Sequence, residues 1–167
     1  MKPEVRVRSR ATVLLTTIVV AALVAAPAGE AADTDCRQVT VSLTVTWDQD
    51  RAETVSGVVA RLQYPAALEL PIDPGSQSAK SRVETRTGTS GGLFDALRKD
   101  TNADGDGDLL NVGLITEGIK PGEFVRIRFD CRPGTAPPPA SAFACTPDVA
   151  DQNGGVPATC TVTVKES

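Results

Sequence analysis

Val39, Val41, Leu43, Val45 and Trp47 alternate without a break with Thr40, Ser42, Thr44 and Thr46. A helix would scatter those five apolar side chains around its circumference, whereas an extended strand puts all of them on one face. The residues are also mostly β-branched, which suits a pleated, half-buried surface. The pattern returns over 57–65, where Val58, Ala60, Leu62 and Tyr64 oppose Arg61 and Gln63 until Pro65 closes the strand. It returns again over 109–116 and over 123–131, where Val125, Ile127, Phe129 and Cys131 lie opposite Arg126, Arg128 and Asp130. Residues 67–72 form a short apolar stretch, 82–87 a weaker strand, and 94–98 either one helical turn or a short strand. A last pair, 143–149 and 159–165, is joined by Asp151-Gln152-Asn153-Gly154-Gly155, and Asn-Gly is a favoured hairpin turn. No segment keeps a helical period. Short strands punctuated by Gly and Pro predict an all-β chain folded as a two-sheet antiparallel β-sandwich.

The N-terminal end obeys different rules. Lys2, Arg6, Arg8 and Arg10 precede an apolar run from Ala11 to Ala26, which ends in Pro27-Ala28-Gly29-Glu30-Ala31. A basic start, an apolar middle and small residues at the exit predict a signal peptide over 1–28, cleaved after Ala28 or Ala31. The run is shorter than the roughly 20 residues that span a bilayer core, so no stable membrane insertion is expected after cleavage. Thr34 and Asp35 before Cys36 do not suit a lipid-attachment site. Export therefore leaves one domain, 29–167, released outside the cell or into the cell envelope. The whole chain carries −4, of which 1–28 contribute +3, so the mature part carries −7. That balance argues against nucleic acid and anionic membranes as partners.

All four cysteines, Cys36, Cys131, Cys145 and Cys160, lie in the mature part, and there is no histidine. With no Cys-x-x-Cys pair either, two disulfides are expected rather than a thiolate metal site. A hairpin centred between Gln152 and Asn153 would set Cys145 opposite Cys160. A turn centred on Pro138 would instead oppose Cys131 and Cys145. Sequence alone leaves the three pairings open.

Strand order and local motifs together resemble the cohesin family, the jelly-roll modules of bacterial cellulose-degrading assemblies, and its carbohydrate-binding relatives. The matching pieces are VTVSLTVTW, SGVVARLQYPAALELP, LLNVGLIT, IKPGEFVRIRFD and ADQNGGVPATCTVTV, with the Lys120-Pro121-Gly122 turn the most characteristic. The proline-rich, cysteine-bearing segment 132–146, whose proline core at 132–142 is expected to be an extended, surface-exposed connection, departs from the family pattern. The resemblance implies a nine-stranded jelly roll whose first and last strands run side by side in parallel. It thereby implies the pairing Cys36–Cys160 with Cys131–Cys145. It also implies a non-catalytic module whose partner is another extracellular protein, or alternatively a polysaccharide.

Chemistry concentrates in Asp100-Thr101-Asn102-Ala103-Asp104-Gly105-Asp106-Gly107-Asp108. Asp100, Asn102, Asp104, Asp106 and Asp108 place side-chain oxygens at alternate positions around glycines, the arrangement of a calcium loop. The start matches an EF-hand loop, but Asn111 stands where the closing glutamate belongs and a strand follows. A solvated acidic turn accounts for the same residues. An enzyme is not expected: without histidine, acid–base work needs paired carboxylates or a lysine, and these acids crowd onto one turn. Ser90-Gly91-Gly92 lacks a base and a phosphate-loop lysine. Of the aromatics, Trp47, Tyr64, Phe129 and Phe143 share parity with core positions, which leaves Phe94 and Phe124 as the free candidates for a sugar platform.

Overall fold

The computed structural model describes residues 35–48, 50, 55–87, 92–105 and 107–167. The predicted signal peptide lies outside the described residues. Among the described residues ten strands form: β1 Gln38–Trp47, β2 Val55–Gln63, β3 Leu68–Glu69, β4 Val83–Thr85, β5 Leu93–Lys99, β6 Leu109–Ile115, β7 Gly122–Cys131, β8 Ala144–Asp151, β9 Gly154–Val156 and β10 Ala158–Glu166. Residues 94–98, ambiguous by sequence, are strand. Sheet A runs β10-β1-β7-β3, with β4 also paired to β7; sheet B runs β5-β6-β2-β8-β9. Every pairing is antiparallel. The inward rows read from the sequence meet between the sheets: Val39, Val41, Leu43 and Val45 from sheet A face a core shared with Val58, Ala60 and Leu62 from sheet B, all essentially solvent-free. No described side chain that is polar or charged is buried there, so burial of apolar surface is the dominant favourable contribution.

The strand directions correct the expected disulfides. First and last strands are neighbours, but β10 runs antiparallel to β1, with Val45 opposite Cys160. Cys36 precedes the other end of β1, about 30 Å away at the rise of an extended chain. Cys36–Cys160 is thereby excluded. The start of β1 instead meets the end of β7, where the Cys131 amide donates to the Arg37 carbonyl at 2.9 Å. Cys36 and Cys131 are bonded there, with Cα atoms 5.6 Å apart. The other bond is Cys145–Cys160, not Cys131–Cys145. The β8–β9 hairpin pairs Val149 with Val156, and the same register extended four residues brings Cys145 across from Cys160. The Asn-Gly hairpin thus aligns these cysteines, even though the chain changes sheet after β9. Pro157, which cannot donate to a ladder, separates β9 from β10. Cys145–Cys160 therefore ties sheet B to sheet A, while Cys36–Cys131 closes one end of sheet A.

Two other expectations change. Phe124 is 1% exposed, not free. Leu43 pairs with Val125 and Thr44 with Glu123, so Phe124 is an extra residue on β7, a β-bulge. The bulge turns two successive residues, Phe124 and Val125, into the core and reverses the parity of Gly122 and Glu123. The connection 132–142 is not wholly at the surface either. Pro138 is buried, and a short 3-10 turn at Ala140–Ala142 leads to Phe143, whose ring packs 6.3 Å from that of Phe129.

Candidate functional site

The acidic loop is a β-hairpin connection between β5 and β6, not part of a helix pair. Asp100 and Asp108 turn their carboxylates onto the loop's own backbone. Asp100 accepts from the amides of Ala103 at 2.7 Å and Gly105 at 2.8 Å. Asp108 accepts from the amide and hydroxyl of Thr101, bonds that hold its carboxyl below the usual aspartate range. The Asn102 amide donates to Asp104 at 2.9 Å. Ala103 at φ 61° and Gly105 at φ 91° supply the left-handed corners. Gly107 has a packing reason: a Cβ there would lie 2.5 Å from the Arg98 side chain and 2.8 Å from the Tyr64 hydroxyl. Asp106 lies outside the described residues, as do Ser90 and Gly91. Among the described residues, no group of three acids or cysteines converges as a metal site.

The aromatic residues do not make a platform. Trp47, Tyr64, Phe129 and Phe143 are buried, as their parity predicts. Phe124 is lost to the bulge, and Phe94 is half-buried.

The outer face of sheet B carries a feature that the alternation concealed. Leu93 is 75% and Ile115 is 60% exposed, and they face each other across β5 and β6. The next cross-strand row reads Asp95, Gly113, Val59, Asp148. Leu93, Ile115, Val59 and Gly113 line a cavity of about 360 Å³, with the Lys80–Asp95 ion pair (3.3 Å) at its rim. Gly113 forms its floor. Neither Gly113 nor Gly57 has positive φ, and added Cβ atoms would meet nothing closer than Val59 at 3.7 Å. Neither glycine is demanded by backbone geometry, and glycine in a strand interior weakens the strand. What they do is keep the sheet low beside exposed apolar walls. The sequence held one sign of this: Ile115 follows Leu114, so an aliphatic residue occupies outward parity.

The outer face of sheet A is its chemical opposite. Thr46 pairs with Thr159, Thr44 with Thr161, Ser42 with Thr163 and Thr40 with Lys165, while β7 adds Glu123, Arg126 and Arg128 on the other side of β1. Because of the bulge, Glu123 and Arg126 share this face despite their odd spacing. Arg126 grips the carboxylate with two bonds, 2.7 and 2.9 Å. That fork, helped by Ser42 and the charge of Arg86, lowers Glu123 from 4.5 to about 2. A depressed carboxylate stabilises the fold above its unfolded value and stops doing so as pH falls through its folded value. The melting-temperature gap between wild type and Glu123→Gln should therefore be full above about pH 4.5 and close as pH approaches about 2. A gap independent of pH in thermal melts would show that this carboxylate's charge is not what stabilises the fold.

Comparison with protein families, curated proteins and solved structures finds no match. Two closed disulfides fit an oxidising compartment. Among the described residues, no helix is long and apolar enough to cross a membrane.

Proposed function

We propose that this chain is a secreted, non-catalytic binding module of the cohesin-like kind, docking another extracellular protein on the outer face of sheet B. The observation that carries this reading is the trough floored by Gly113 and walled by Leu93, Ile115 and Val59. Exposed aliphatic side chains gathered on one flat face are the mark of an interaction surface, where single ones would not be. Of the four large hydrophobic residues exposed in the described chain, Leu93, Leu97 and Ile115 all project from this face. A partner's apolar anchor would seat over Gly113, with the carboxylates of Asp95 and Asp148 at either end of the row.

Gly113→Val tests the reading with little risk to the fold, because the backbone admits a side chain there and valine favours strands. Wild type immobilised and exposed to the extracellular fraction of its source should retain a partner in a saturable manner. Gly113→Val and Leu93→Ser/Ile115→Ser should weaken that retention by about tenfold or more, as interface anchors do, with unaltered thermal melts. Equal retention by all three proteins, or none by wild type, would defeat the proposal.

A further inference from the structure

The outer face of sheet A holds two adjoining cavities of about 420 and 540 Å³, both walled by Thr40 and Arg126. Together they reach across four strands, from Glu84 on β4 to Lys165 on β10, about 14 Å at ordinary strand spacing. Their charged lining is balanced: Arg126, Arg128 and Lys165 against Glu84, Glu123 and Glu166. A polyanion or a polycation would meet as much repulsion as attraction in such a cleft. A neutral polyhydroxylated chain would not. Each of its hydroxyls donates one hydrogen bond and accepts others, so it can bridge a fixed carboxylate and a fixed guanidinium, and Thr or Ser can serve it in either sense.

Donors and acceptors here are already held in place. The Arg126–Glu123 fork fixes one guanidinium beside one carboxylate. Arg128 donates to the Ser81 carbonyl at 3.2 Å, and neither it nor Lys165 has an ionic partner among the described residues. These two cations flank Thr40 in one cross-strand row, about 10 Å apart. Val83 is the only hydrocarbon side chain in the lining, so recognition would proceed through hydrogen bonds rather than ring stacking.

We infer that this face binds a neutral polysaccharide along the paired clefts, with Arg126, Arg128 and the Thr40–Thr44 hydroxyl row as its contacts. This site is separate from the trough on sheet B and does not depend on it. The two faces together would make the module a bridge between a glycan and a protein.

Affinity electrophoresis of the secreted protein through native gels containing hydroxyethylcellulose, galactomannan or a β-1,3-glucan tests it, with polygalacturonate as the charged comparison. Retardation is expected in at least one neutral gel. Arg126→Ala and Arg128→Ala should each weaken the apparent affinity about fivefold, the value of one lost hydrogen bond. Leu93→Ser/Ile115→Ser should leave it unchanged. Arg128 is exposed and outside the Glu123 fork, so its variant keeps the test valid if Arg126→Ala fails to fold. No retardation in any neutral gel, retardation in polygalacturonate alone, or equal retardation of Arg128→Ala and wild type would overturn the inference.

Discussion

Replacing Cys36 and Cys131 together by serine is expected to cost more stability than replacing Cys145 and Cys160. A disulfide stabilises chiefly by removing conformations from the unfolded chain, and the effect grows with the loop it closes. Cys36–Cys131 spans a separation of 95 residues and Cys145–Cys160 one of 15. The chain-entropy relation assigns about 4.7 kcal/mol to the first and about 3 kcal/mol to the second. Either is a large part of a domain's usual 5–15 kcal/mol, so both variants should melt at much lower denaturant concentrations. Cys36 is also 3% exposed, so its serine variant places a hydroxyl in a closed site and adds to the loss. Urea denaturation read by tryptophan fluorescence measures both midpoints, with Trp47 the sole indole. A larger loss from Cys145→Ser/Cys160→Ser would mean that tying β10 to sheet B outweighs the loop term. Hydrogen exchange gives a second contrast. Losing Cys145–Cys160 should raise exchange first in β10 and β8, which it joins across the two sheets.

The strands were legible because alternation is a local signal that burial on one face enforces directly. The strands at 39–47 and 123–131 were recognisable from parity alone, and Val39, Val41, Leu43, Val45 and Trp47 in the first and Val125, Ile127 and Phe129 in the second are in the observed core. Three things were not legible, each for a physical reason. The cysteine pairing depends on strand direction in sheet A, and parity carries no direction; an implied parallel β1–β10 pair placed Cys36 at the wrong end of its neighbour. The hairpin register around Asn153, in contrast, was local, and it did align Cys145 with Cys160. The trough on sheet B was missed because it is built from what is absent, the side chain of Gly113, beside an aliphatic residue of the wrong parity. The Glu123–Arg126 fork was missed because odd spacing on a strand puts side chains on opposite faces unless a bulge intervenes. The aspartates at 100–108 were the loudest motif and proved to be, in large part, acceptors for their own turn.

Phe124→Ala should be among the most damaging single substitutions in the domain, with a loss of about 3–5 kcal/mol. Strict alternation from Val125 would put this ring in solvent, and truncating an exposed ring changes stability by no more than about 0.5 kcal/mol. The two outcomes differ enough that one denaturation curve separates them. Phe124→Leu should recover much of the loss, since it restores most of the buried hydrocarbon. Phe94→Ala, on the half-buried edge of sheet B, should cost less than Phe124→Ala. The bulge itself calls for a different change. Deleting residue 124 would restore regular alternation along β7, with Val125 inward opposite Leu43 and Glu123 still outward opposite Thr44 beside Arg126, so the deletion removes the buried ring without burying the carboxylate. Phe124→Ala, which keeps the residue count, should leave the Arg126 fork in place and the acid limb of the Glu123 titration unshifted. A stability loss with that titration intact would assign the cost to the missing ring. A loss accompanied by a rise of Glu123 toward its ordinary 4.5 would mean that the ring is also what holds the bulge in register.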